Sequence, residues 1–163
     1  MIILGIDPGS AIIGYAIINK SDKKILSVVD FGCIMTDKFM SSGEKLKKNY
    51  KEILKLIEKY RPDLVSIESL YFFKNLKTII PVSQTKGVIL LACAQKNIPI
   101  TEFTPLQVKM AVCGYGRAEK KQVQEMMKKI LDLDNFDFKQ KNRKKDDAFD
   151  ALGVAVCASF KVF

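Results

Sequence analysis

The stretch IILGIDPGSAIIGYAIIN, Ile2 to Asn19, decides the fold. Apolar residues run from Ile2 to Ile6 and stop at an acid, Asp7. Pro8, Gly9 and Ser10 then signal a turn, and IIGYAIIN resumes as a second β-rich run. A third, ILSVVDFGCIM, follows after a connecting turn over Asn19 to Lys24. Three strands in a row, joined by short turns, predict a hairpin-built sheet.

Helices and strands alternate outward from there. SSGEKLKKNYKEILKLIEKY has Leu46, Tyr50, Ile53, Leu54 and Ile57 on one helical stripe and Pro62 as its stop. DLVSIE is a short buried strand that again ends in an acid, Glu68. After the loop SLYFFKNLK, a helix is expected from about Ile80, with Pro81 in its first turn, to about Asn97. PITEF gives a fifth strand. Thr104 caps a short helix with Pro105 in its first turn. CGYGRAEKKQVQEMMKKIL reads as a glycine loop and a helix, and a last helix starts near Asp146. The order is that of an α/β protein, a five-stranded mixed sheet flanked by helices, and 163 residues suit a single domain over 1–163.

The net charge of +9 points to a polyanionic partner. The basic excess is local: residues 41–61 hold 7 basic and 3 acidic side chains, residues 117–145 hold 10 and 5, and residues 1–40 hold 4 of each. Cys33, Cys93, Cys113 and Cys157 form no C-x-x-C pair, and the chain has no histidine, which leaves poor materials for structural zinc. They read as reduced thiols of a cytosolic protein. MIILGID lacks a basic start and is not expected to be a signal peptide. The longest apolar run, GVILLACA, is too short to span a bilayer, so no membrane role is expected.

The chemistry concentrates in acids. In an open α/β sheet, functional groups gather at the carboxyl ends of central strands, and Asp7 and Glu68 each end an apolar strand. KKDDAFDALGVAV, Lys144 to Val156, adds Asp146, Asp147 and Asp150 at the mouth of an apolar helix. Asp147 and Asp150 share a face, and so do Asp146 and Asp150. Carboxylates crowded in a cleft cannot all stay ionised without cations. Oxygen ligands without imidazole or thiolate suit magnesium or manganese, and a pair of such ions serves in-line displacement at phosphorus.

These motifs, in their order, resemble the RuvC family of Holliday junction resolvases, which have a ribonuclease H-like fold. The resemblance rests on GIDPGSAIIGYAII, SIESLYFFKN, QVK, GYGRAEKKQVQ and DDAFDALGVAV, and spans Ile3 to about Ala158. GIDPGS alone would also suit an actin-like ATPase, but 163 residues leave little room for that fold's second lobe. The resemblance implies a structure-specific endonuclease that cuts four-way junctions by paired symmetric nicks, leaving 5′-phosphate and 3′-hydroxyl ends. It matches Asp7, Glu68, Asp147 and Asp150 to a metal-binding tetrad holding two magnesium ions per subunit, with manganese as a substitute. The family pattern D-x-x-D-A-L selects Asp147 over Asp146, which is left as a capping or supporting acid. Lys109 and Lys120 match lysines close to the active site, where they offset charge on the transition state or anchor phosphate. Tyr71 falls where the family has an aromatic that acts at the crossover, with Phe72 and Phe73 as alternatives. Lys74, Asn75, Arg117, Lys121, Lys141, Arg143 and Lys144 are the further DNA-binding candidates. Two symmetric cuts imply a two-fold homodimer, through the helix around Val82–Gln95, and the family works with a branch-migration motor. Two other readings stay open: an RNA-directed nuclease of the YqgF type, and a junction-binding protein without catalysis.

The basic run ahead of the aspartates yields a prediction. Neutralising Lys139, Lys141, Arg143, Lys144 and Lys145 together should weaken junction binding. It should also flatten the salt dependence by roughly one unit of log–log slope per lost phosphate contact. Cleavage at saturating protein should survive. Unchanged binding and slope in a salt titration would reduce the run to a solvated loop.

Overall fold

The computed structural model describes residues 1–22, 25–69, 76–131, 133 and 145–161. Three strands open the chain: β1 (Ile2–Asp7), β2 (Ile12–Lys20) and β3 (Leu26–Met35). Then follow α1 (Ser42–Tyr60), β4 (Leu64–Glu68), α2 (Leu76–Gln95), β5 (Ile100–Phe103), α3 (Pro105–Cys113), α4 (Lys120–Ile130) and α5 (Lys145–Lys161). The sheet order is β3-β2-β1-β4-β5. β1 pairs antiparallel with β2 and parallel with β4, and β4 pairs parallel with β5, so the sheet is mixed as expected.

Helix ends follow local chemistry. Ser41 and Glu44 form a reciprocal capping box at the start of α1, and Thr104 and Gln107 form another at α3, where Pro105 fills the first turn. Arg61 closes α1 in the left-handed conformation, and its N–H bonds the Ile57 carbonyl, just ahead of Pro62. The sequence reading misses one boundary. α2 begins at Leu76, four residues before the expected Ile80, and Pro81 lies inside it. Proline lacks the N–H that would bond the carbonyl four residues back, and near a helix start this costs one bond without ending the helix.

Alternation along the strands divides the core in two. Leu4, Ile6, Ile13, Ile17, Val65 and Ile67 face Ile53 and Ile57 of α1 and Ile89, Ala92 and Cys93 of α2. Ile3, Ala16, Ile18, Phe31 and Leu64 face the other way, against α3, α4 and nearly the whole length of α5. α5 is apolar on most sides because it is buried on most sides: every residue from Ala151 to Ser159 is inaccessible.

Glycines set how closely α5 approaches. A Cβ on Gly5 of β1 would stand 2.2 Å from the Ala151 carbonyl oxygen, and one on Gly14 of β2 would stand 2.0 Å from that of Asp147. Both obstacles are helix backbone, which cannot swing aside. Ser66 of β4 completes the seat, donating a hydrogen bond to the Val154 carbonyl at 3.1 Å. The helix is thus held against β2, β1 and β4 together. Gly5→Ala should therefore cost about 1–3 kcal/mol or more in denaturant unfolding, as overpacked cores do. Gly43→Ala in the open first turn of α1, where an added methyl meets nothing within 4 Å, should instead gain about 0.4–1 kcal/mol.

Candidate active site

The register explains why Asp7 and Glu68 meet. β1 and β4 run parallel with Gly5 opposite Ser66 and Ile6 opposite Ile67. One residue on, both strands end in an acid, and both acids turn to the face that carries α5. Their carboxyl groups share a hydrogen bond. On the other flank of Asp7 the paired residue is Gly14, over which the Asp147 backbone lies. The first turns of α5 are therefore laid across the end of β1. Asp147 and Asp150 both act electrostatically on Asp7.

This crowding shows in proton affinity. Burial pushes the Glu68 carboxyl up from 4.5 to about 8, with the charge and hydrogen bond of Asp7 adding to the rise. Burial likewise pushes Asp7 from 3.8 to about 6; its bond with Glu68 acts against this, and Asp150 and Asp147 act with it. Burial also raises Asp150, opposed by its hydrogen bond from Lys120. Lys120 itself would be lowered by burial, but Asp150 and Asp146 outweigh that and hold its ammonium up. Crowding and burial raise these acids, and Lys120 is the cation that pairs with Asp150.

Lys120, first residue of α4, donates to Asp150 Oδ2 at 3.1 Å and stands 3.6 Å from Asp146 Oδ2. Asp146 also accepts from Gln124 Nε2 at 3.3 Å and is exposed on the outer side of the helix. Lys109 of α3 joins Glu68, Lys120 and Asp150 around a cleft of about 250 Å³, whose apolar wall includes Val108, Val123, Phe149 and Gly153. The structure thus gathers Asp7, Glu68, Asp147, Asp150, Lys109 and Lys120 at one end of the sheet. Arg117 and Lys121 are exposed on either side of the start of α4. Tyr71, Phe72, Phe73, Lys74, Asn75, Lys141, Arg143 and Lys144 lie outside the described residues.

Among the described residues, no three acidic or cysteine side chains stand ready as a cage around one ion. Asp7 and Glu68 are turned to each other and Asp150 to Lys120. The donor set nonetheless suits a hard divalent cation: it is all carboxylate oxygen, partly desolvated, in a chain with no histidine. The cysteines take no part. All four are free, and Cys93, deep in the core, has its thiol pushed up to about 11 by burial.

The mixed sheet in the order β3-β2-β1-β4-β5, with acids at the adjoining ends of β1 and β4 and on α5, is that of the ribonuclease H-like class. Within that class, the family described as crossover junction endodeoxyribonuclease RuvC matches residues 3–158, and the chain belongs to it. A RuvC of that name from Fusobacterium nucleatum is 49% identical over 156 residues, covering 96% of this chain and 78% of the relative. Another from Thermosipho melanesiensis is 50% identical over 157 residues, 96% of each. Among solved structures, Thermus thermophilus RuvC is similar with a TM-score of 0.85 at 26% identity, covering 98% of this chain and 94% of that one.

The raised acids predict how stability responds to pH. A carboxyl whose affinity for protons rises on folding makes the folded state bind more protons than the unfolded one, so stability falls as pH rises. For Asp7 and Glu68 the window runs from about 4 to about 8. In chelator-treated protein the Tm should fall across that range, and Asp7→Asn should flatten the fall. A divalent cation should raise Tm more at pH 8 than at pH 5. A Tm that climbs from pH 5 to pH 8 in wild type, relative to Asp7→Asn, would contradict the assignment.

Proposed function

We propose that this protein, acting as one catalytic domain per subunit over 1–163, resolves four-way DNA junctions by paired symmetric nicks. The reaction is magnesium-dependent hydrolysis that leaves 5′-phosphate and 3′-hydroxyl ends. The observation that carries the reading is the convergence of Asp7 and Glu68 with Asp147 and Asp150 in one desolvated cluster. Two bound magnesium ions, with manganese as a substitute, would supply an activated water and charge neutralisation at the scissile phosphate. Asp7, between the strand acid and the helix acids, would help to hold them. Lys109, on the cleft wall beside Glu68, is suited to meet the negative charge that develops on phosphate oxygens.

Two surfaces support the substrate and the assembly. α1 exposes Lys47, Lys51, Lys55 and Lys59, which suit contacts to duplex phosphates without sequence readout. On α2, Thr85, Ile89, Ala92 and Cys93 turn inward. The opposite side carries Ile80, Gln84, Gly87, Leu91 and Ala94, all exposed, at alternating spacings of four and three. Ile80 and Leu91 are 65% and 52% exposed, and nothing lies within 4 Å of a Cβ on Gly87. A stripe at heptad spacing that is apolar apart from Gln84 and carries the small residues Gly87 and Ala94 suits packing on a second copy of the same helix. Two copies related by a two-fold axis present two active sites to the two strands of a symmetric junction. A branch-migration motor is the expected partner of the dimer. No helix among the described residues is long and apolar enough to cross a membrane, and we assign the protein to the cytoplasm with its DNA substrate.

A nicking assay on a synthetic mobile junction tests the reading. Asp7→Asn should lower cleavage by about a thousandfold or more while junction binding holds or improves, because a charge that repels phosphate is gone. Asp147→Asn should damage cleavage far more than Asp146→Asn. Persistent nicking by Asp7→Asn, or the reverse order for the two helix acids, would overturn the assignment.

A further inference from the structure

Lys120 sits between two carboxylates of the same helix. Its Nζ is 3.1 Å from Asp150 Oδ2, within the acid cluster, and 3.6 Å from Asp146 Oδ2, outside it. The two acids are one helical turn apart and differ in exposure: the Asp146 side chain is 69% accessible and that of Asp150 is 39%. Asp146 is held in place from the other side by Gln124 Nε2, one turn along α4 from Lys120 itself. The lysine, its two acids and the glutamine form a short ladder between α4 and α5. From this one position the ammonium reaches both an acid of the cluster and an acid outside it.

We propose that Lys120 is a built-in counter-ion for the cluster, holding Asp150 until a divalent cation claims that carboxylate, and that Asp146 is the berth to which the ammonium then withdraws. The inference rests on the metal-binding reading of Asp7, Glu68, Asp147 and Asp150. It gives the extra acid of the DDAFD stretch a task. Asp146 is a positioning residue that acts through Lys120, keeping the lysine beside the cleft once Asp150 is occupied. Exchange between the berths is inexpensive because both pairs are partly exposed, where an ion pair holds only weakly. A lone lysine expelled to solvent would lose its partner entirely, and cation binding would have to offset that loss.

Manganese binding to the full-length protein without DNA, followed by water-proton relaxation or calorimetry, tests this apart from catalysis. Lys120→Met should bind manganese about two- to fivefold more tightly than wild type, the fold-change of one partly exposed ion pair. Asp146→Asn should weaken binding when Lys120 is present, and clearly less in the Lys120→Met background, since only the berth depends on the lysine. Asp146→Glu, which keeps charge and reach, should restore wild-type affinity. Equal or weaker binding by Lys120→Met overturns the counter-ion role. An Asp146→Asn effect of the same size in both backgrounds overturns the berth, leaving only a distant charge. Asp7→Asn separates this proposal from its premise: if it binds manganese as wild type does, the metal site itself is wrongly assigned. If it binds more weakly while Lys120→Met is unchanged, only the lysine exchange fails.

Discussion

Everything at the active end of this molecule depends on how closely α5 can lie on the sheet. The helix backbone comes near enough to β1 and β2 that even a methyl group on Gly5 or Gly14 would strike it. That approach makes one object of two sequence-distant sets of acids. Asp7 and Glu68 belong to the strand ends, Asp147 and Asp150 to the helix, and nearly eighty residues separate Glu68 from Asp147. A helix riding at the usual height above larger side chains would lift its aspartates away from Asp7. The buried, small and apolar run from Ala151 to Ala158 is the other half of the same constraint, since only such a surface can be enclosed between the sheet, α3 and α4.

The folding energy gained by this packing is partly spent on an unfavourable cluster. Burial and mutual repulsion raise the carboxyl groups of Asp7 and Glu68, and Lys120 is drawn in to satisfy Asp150. On the metal-binding function proposed above, such a cluster is preorganised for a cation more than for itself. Its acids are held by rigid elements, with Asp7 and Glu68 turned to each other and the Lys120 ammonium on Asp150. Local instability of this kind is expected where structure serves chemistry rather than stability.

Much of this was legible in the residues. The five strands follow from apolar runs bounded by turn chemistry, and Thr104 and Pro105 mark the start of α3 because capping is a local property. Asp7 and Glu68 stand out as acids that terminate apolar strands, and parallel pairing brings them together. Other features depend on tertiary context. Pro81 suggests a helix start, yet α2 carries it in its second turn, since a single missing N–H there is affordable. Gly5 and Gly14 look like ordinary strand residues until the helix above them is known. Spacing left Asp146 and Asp147 equivalent as partners of Asp150. The structure treats them differently: the Asp147 backbone lies over Gly14 and its charge acts on Asp7, while the Asp146 carboxylate meets Gln124 and Lys120.

The central claim is that the seat of α5 brings its acids over the strand-end acids to form one cation site. Anomalous diffraction from crystals of the protein soaked in manganese tests it most directly. Manganese should scatter at the carboxyl ends of β1 and β4, with oxygens of Asp7 and Glu68 and at least one of Asp147 and Asp150 among its ligands. Manganese bound instead on the outer side at Asp146, or no ordered manganese at the strand ends at saturating concentration, would contradict the account.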